Sequence, residues 1–390
     1  MSVILTLNAG SSSLKFSAYH AETDALIASG KVDRIGPQAR LWAQDAAGSE
    51  LPAVDLPLST NLAAIKAVVV ALAPVIGSTP VVAVGHRIVH GGLEFDRPVI
   101  LTDTILTRLA ALEPFAPLHQ PHNLAGVRAA MEAFPDAIQV GCFDTAFHRH
   151  HPFVNDTFAL PRYYYDRGVR RYGFHGLSYD YVTSRLQTIA PSLAEGRVVV
   201  AHLGNGASMC AIQNGASVAS TMGFSALDGL PMGTRCGQLD AGVVLYLLDQ
   251  QGMTAAQISA LLYTQSGLLG LSGLSNDMRV LSASDDPHAR EAVDYFVFRV
   301  QRELGAMAAA MGGIDALVFC GGIGENAADI RARICERAAW MGIELDHGRN
   351  ADHAQIISSD LSRTTVLVIP TNEELVIARA ARQALGQKVD

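Results

Sequence analysis

Val3 to Leu7 is a short apolar run, the polar stretch Asn8-Ala-Gly-Ser-Ser-Ser follows, and Leu14 to Tyr19 resumes with Lys15 and Ser17 alternating against apolar neighbours. That pattern predicts two strands joined by a polar hairpin turn. It returns much later, in Val198 to Leu203, Gly204-Asn-Gly-Ala-Ser, and Met209 to Ile212. A recurring strand-turn-strand unit points to a duplicated fold. Helical spacing marks Asn61 to Leu72 and His122 to Ala133, while Val81 to Val84 and Ile138 to Cys142 read as buried parallel strands. Beyond the second hairpin, Leu239 to Leu248, Thr254 to Leu262 and His288 to Met311 are predicted helices. Ala316 to Cys320 is a predicted strand, Gly321-Gly-Ile-Gly a loop, and Ala327 to Trp340 a helix. Val366 to Ile369 and Glu373 to Leu385 close the chain as strand and helix.

A chain of 390 residues exceeds what one hydrophobic core usually serves, so two lobes are expected. With 49% hydrophobic and 17% charged residues it can bury large cores. The formal charge of −8 advertises no nucleic-acid surface, so an anionic substrate would have to be met by a few locally placed arginines. No apolar run reaches the ~18 residues of a membrane span, and the start resembles no signal peptide. A cytoplasmic protein without membrane or nucleic-acid partners is expected. Five cysteines without a CxxC pair argue against a disulfide framework or a zinc site.

Polar turns of small residues let backbone N–H groups converge on phosphate oxygens, and Asn8 to Ser13, with Lys15 beyond it, has that make-up. Alone it is a weak signal, since such turns are common. Its twin at Gly204 to Ser208 strengthens it. Gly321-Gly-Ile-Gly-Glu-Asn lies after a strand and before a helix, without the GxGxxG of a dinucleotide site or the GK[ST] of a P-loop. Two hairpin loops and a strand-Gly-Gly-helix segment suit an ATPase of the duplicated kind.

The chain resembles the acetokinase (acetate kinase) family nearly end to end. The matching segments are Leu7 to Lys15, Gly85-His-Arg-Ile-Val-His-Gly-Gly92, Ala116-Pro-Leu-His119, Phe143-Asp-Thr-Ala-Phe-His148 and Arg171-Tyr-Gly-Phe-His-Gly176. Others are Ala201 to Gly206, Met232-Gly-Thr-Arg235, Asn276-Asp-Met-Arg279, Gly321 to Asn326 and Pro370-Thr-Asn-Glu-Glu374. The resemblance implies an α/β, duplicated actin-like (ribonuclease H-like) two-lobe ATPase fold with an interdomain cleft. One lobe would span residues 1 to 146 and 374 to 390 and hold the acyl and phosphate site; the other, 147 to 373, would bind nucleotide and form a homodimer.

The implied reaction is reversible phosphoryl transfer between ATP and acetate, giving acetyl phosphate and ADP by in-line attack of the carboxylate. A transferring phosphoryl group is metaphosphate-like and both reactants are anionic, so positioning and charge neutralisation should dominate. By resemblance, Arg87 would pair with the substrate carboxylate, Arg235 and His175 would serve the equatorial oxygens, and Asp144 would orient an arginine or a metal-bound water. A base is not required there, because a carboxylate with a pKa of about 4 is already ionised at pH 7.

Val89, Leu118 and Ala226 would line the acyl pocket. Asn8 and Glu373 would serve magnesium, or manganese in its place, although Glu373 also suits a helix N-terminus. Nucleotide contacts would come from Ser11, Lys15, His202, Leu203, Gly204, Asn205, Gly206, Asp277, Met278, Arg279, Gly322, Ile323, Gly324, Glu325 and Asn326.

The chain departs from the family at Cys236-Gly-Gln-Leu-Asp-Ala241, and at His175-Gly-Leu-Ser-Tyr179, where Tyr179 replaces a second family histidine. Ala226 stands where the family often has proline, so propionate or another short-chain acid is an alternative acceptor. A non-catalytic ATP-binding module is the rival from another class. His148-Arg-His-His151 reads as loop or interface rather than a metal cluster, and Tyr163-Tyr-Tyr165 as packing or dimer surface.

Overall fold

A computed structural model describes residues 2–10, 13–36, 38–52 and 60–387. The chain divides into two compact units, Met1–Phe147 with Asn372–Asp390, and His148–Thr371.

Among the described residues the first unit carries a seven-stranded sheet. Its strands are β1 (Val3–Ala9), β2 (Ser13–His20), β3 (Leu26–Asp33), β4 (Arg40–Asp45), β5 (Val81–Ile88), β6 (Val99–Ile100) and β7 (Ile138–Phe143). They lie in the order β4-β3-β2-β1-β5-β7-β6. β1 pairs antiparallel with β2 and parallel with β5, which pairs parallel with β7. β1 is buried nearly throughout, as a central strand covered on both faces must be. Leu5, Leu7 and Phe16 pack with Ile65 and Val68 of the helix Asn61–Ile76. That helix starts where Thr60 accepts from the Ala63 N–H at 3.1 Å.

The second unit repeats the plan with β8 (Arg197–Leu203), β9 (Ala207–Gln213), β10 (Ala216–Ser220), β11 (Ala316–Cys320) and β12 (Thr365–Val368), in the order β10-β9-β8-β11-β12. Again an antiparallel hairpin feeds a strand whose other side pairs parallel. The duplication expected from the two strand-turn-strand segments is therefore present in the topology. The 25-residue helix Pro287–Met311 packs on this sheet through Ala292, Phe296, Val300 and Leu304, a helical repeat.

Two expectations need correction. Gly321–Asn326 is a helical turn rather than a loop. The fully buried Arg331 donates to the carbonyls of Gly324 at 2.9 Å and Glu325 at 2.8 Å, supplying partners to a turn too short to satisfy its own. The helix expected to reach Trp340 covers Ala328–Glu336, and a separate 3-10 turn covers Ala339–Met341.

The last helix, Glu373–Gln387, closes on the first sheet: a Cβ on Gly85 of β5 would stand 2.4 Å from Ile377 Cγ2. Gly85→Ala should therefore cost the first unit about 1–3 kcal/mol by overpacking, read as a lower urea midpoint. An unchanged midpoint would show that the helix is not held so close.

Candidate functional site

In parallel-strand proteins, groups that meet a ligand gather beyond the carboxyl ends of the strands. In the first unit, β1 ends with Asn8 and Ala9, β5 carries Arg87 next to its end, and Asp144 follows β7 directly. Asn8 is paired across the hairpin with Lys15, and Ser11 of the turn lies outside the described residues.

The Arg87 guanidinium grips Asp144 through Nε, at 3.0 and 3.1 Å, and through Nη2, at 2.7 Å. This is the two-pronged geometry in which an arginine and a carboxylate are strongest. Glu373, 15% exposed at its side chain, approaches the same guanidinium to 3.9 Å. It sits in the first turn of its helix, behind Asn372, whose side chain accepts from the Leu375 N–H at 2.9 Å.

Burial works against charge on Arg87, but Asp144 and Glu373 outweigh it and hold the guanidinium above its ordinary range. Glu373 moves the other way: burial, and then Asp144 and Glu374, raise its carboxyl, against the pull of Arg87 and Lys15. Three carboxylates thus face two cations.

Among the described residues no group of three acidic, histidine or cysteine side chains could by itself hold a metal ion. Mg²⁺ keeps most of its waters and needs only one or two protein oxygens, so an excess of carboxylate with Asn8 at the neighbouring strand end fits it. Val89 is buried, its N–H donating to Asn123 Oδ1 at 2.9 Å, whereas Leu118 is 42% exposed.

In the second unit, Gly204, Asn205, Asp277, Met278, Arg279, Gly322, Ile323 and Asn326 line one cleft of about 850 Å³, within the range of small-molecule sites. Gly321, at a φ of +75°, turns the chain from β11 against Leu203, where a Cβ would meet the Leu203 carbonyl at 2.8 Å. Sequence reasoning missed Asn276, Ser282, Ala327 and Asp329, which share the cleft. Asn276 opens the matching segment Asn276 to Arg279 without being counted among its contacts, and Ala327 follows Gly321 to Asn326; Ser282 and Asp329 carry no signal of their own.

Not every expected residue reaches this cleft. Leu203 is buried in β8, and neither Gly324 nor Glu325 lines the cavity. Glu325 Oε1 instead accepts from the N–H groups of Gly321 at 2.9 Å and Thr371 at 3.1 Å, bracing the turn. Lys15 belongs to the first unit, in a shallow depression with Asn372 and Glu374.

His175 precedes the helix Gly176–Ile189 in a left-handed conformation, φ +59°, and its ring stacks on His202 with centroids 4.3 Å apart. Arg235 is anchored through Nη1 to the Ala226 carbonyl at 2.7 Å. Gly206 unites them: a Cβ there would stand 2.9 Å from Arg235 Nη2 and 3.2 Å from His175 Nε2. In the His148 to His151 segment His150 is exposed while His148 and His151 are buried: His148 Nε2 donates to the Phe174 carbonyl at 3.0 Å, and burial pushes that imidazole down to about 4.

A family model for the acetokinase family matches residues 3–379. An acetate kinase from Methylocella silvestris is 54% identical over 98% of this chain and 98% of its own length. The crystal structure of Porphyromonas gingivalis acetate kinase superposes with a TM-score of 0.90 at 37% identity, covering 99% of this chain and 100% of that one. The structure of a propionate kinase from Francisella tularensis gives 0.92 at 36%, covering 98% and 100%.

A carboxyl that holds its proton more tightly folded than unfolded costs stability as pH rises through its folded value. Glu373→Gln should therefore raise the thermal midpoint at pH 7, with the gain vanishing below about pH 4, the ordinary glutamate range. A variant less stable than wild type at pH 7 would mean that attraction to Arg87 dominates at Glu373.

Proposed function

The chain belongs to the acetokinase family, and from that premise we propose that this phosphotransferase moves a phosphoryl group reversibly between ATP and acetate. What carries the reading is the pair of arginine-centred groups: Arg87 locked to Asp144 in the first unit, and Arg235 beside His175 over Gly206 in the second. Both suit a reaction whose difficulty lies in gathering anions rather than in proton transfer.

Arg87 offers the acceptor carboxylate a planar fork, with Asp144 fixing its plane. Asp144 therefore acts by orientation; an acetate oxygen is ionised at pH 7 and needs no base. A carboxylate oxygen forms a bond to the γ-phosphorus as the bond from that phosphorus to the β–γ bridging oxygen breaks, which leaves acetyl phosphate and ADP. Arg235 and His175 would donate to the equatorial oxygens.

The first unit would hold the acyl substrate, with Val89 and Leu118 at the methyl end. The second would hold the nucleotide in the cleft lined by Gly204, Asn205, Asp277 to Arg279, Gly322, Ile323 and Asn326, with the Ala226 carbonyl anchoring Arg235. Mg²⁺, held by Glu373 and Asn8, would neutralise phosphate charge.

A second copy of the chain is proposed as partner. The helix Ala241–Asp249 is apolar yet has no buried residue, with Leu245 58% and Tyr246 52% exposed. A helix hydrophobic all round is normally covered. A cytoplasmic location fits the absence of any described helix long and apolar enough to cross a membrane.

Incubation with Mg-ATP, hydroxylamine and acetate should yield acetyl hydroxamate, and Arg87→Ala should lower the rate by ~10²-fold or more. No hydroxamate from acetate, or a higher rate with propionate, would remove acetate from the proposal. Leu245→Asp should convert dimer to monomer in light scattering; a wild-type monomer would sink the proposed partner.

A further inference from the structure

Resting on the role proposed for His175, we infer that Tyr179 and Ser208 form a hydrogen-bond relay that sets the tautomer of His175 and so aims an Nε2–H donor at the spot Arg235 also faces. His175 Nδ1 lies 2.8 Å from Ser208 Oγ, and the Tyr179 hydroxyl makes a short contact to that same oxygen. Ser208 and Tyr179 are both fully buried.

The relay assigns one order of donors. Burial holds the Tyr179 phenol well above its ordinary value, so the hydroxyl keeps its proton, and the relay directs that proton along the short contact to Ser208 Oγ. A serine hydroxyl has one proton, and having accepted from Tyr179 it donates to His175 Nδ1. Nδ1 is then the acceptor, and the proton of the neutral imidazole resides on Nε2. That nitrogen lies 3.2 Å from the point where a Cβ of Gly206 would stand, and Arg235 Nη2 lies 2.9 Å from the same point. Without the relay the ring can take the other tautomer and turn a lone pair, not a proton, toward an incoming oxygen.

The surrounding elements suit this assignment. Ser208 projects from β9, Tyr179 lies one turn into the helix that begins at Gly176, and the Tyr179 N–H donates to the His175 carbonyl at 3.1 Å. The His202 ring stacked on His175 has its own hydroxyl partner, Ser178 Oγ at 2.8 Å from Nδ1. Two adjacent residues of one helix, Ser178 and Tyr179, thus serve the two stacked imidazoles, one directly and one through Ser208. Tyr179 and Ser208 are positioning residues, since they act through His175.

The test is nitrogen NMR of the full-length protein labelled at histidine nitrogens, with His175 assigned by its loss in His175→Gln. Wild type should show a pyrrole-like Nε2 and a pyridine-like Nδ1 at His175. Tyr179→Phe and Ser208→Ala should mix the tautomers and lower kcat on the order of tenfold, with KM for ATP and acetate within about twofold, since a donor to the transition state is lost and ground-state binding is not. A protonated Nδ1 at His175 in wild type overturns the relay whether or not Tyr179→Phe and Ser208→Ala fold. So does a Tyr179→Phe protein with unchanged tautomer and kcat. Because the tautomer is read without turnover, a protein with the expected tautomer but no activity toward acetate would fail the kinase reading and leave the relay standing.

Discussion

A guanidinium taken out of water must find a carboxylate, and in the first unit that requirement ties three distant stretches of chain together. Arg87 comes from β5, Asp144 from the end of β7 and Glu373 from the head of the last helix. The sheet order brings the first two side by side, because β5 and β7 pair parallel with Arg87 opposite Cys142. Their shared requirement for partners makes the strand ends a charged platform rather than more of the core.

The platform is costly in isolation. Glu373 is held above its ordinary range because burial and two further carboxylates outweigh Arg87 and Lys15. Unfavourable charge of this kind is a mark of functional sites rather than of stabilising cores. The second unit solves a different problem by leaving out side chains. Gly206 clears space for Arg235 and His175, and Gly321 allows the turn after β11 to approach Leu203. One unit concentrates charge; the other clears space.

Much of the fold was legible along the chain. The two strand-turn-strand segments stand out because a buried strand of β-branched and aliphatic residues contrasts sharply with a turn of Gly, Ser and Asn. β3 and the edge strand β4 beside it were missed: Leu26 to Asp33 alternates small, polar and apolar residues, and Gly30 is there because a Cβ would meet the Trp42 carbonyl across the β3–β4 pair. The turn at Gly321 to Asn326 could not be read as helical from glycines alone. Its stabilising partner Arg331 lies on the next helix and is itself held through Asn350, Nε to Oδ1, at 2.8 Å.

The sequence by itself determined the family, the duplicated plan and the residue types of the site, because motif identity and hydrophobic periodicity are local properties. Only the tertiary structure decided which of those residues share surroundings. It turned Glu325 inward to brace the Gly321 turn, set the phenol of Tyr179 behind Ser208, and sent Glu373 to Arg87 across nearly three hundred positions of sequence. Those placements depend on strand pairing and helix packing between segments far apart in the chain, and no window of sequence contains them.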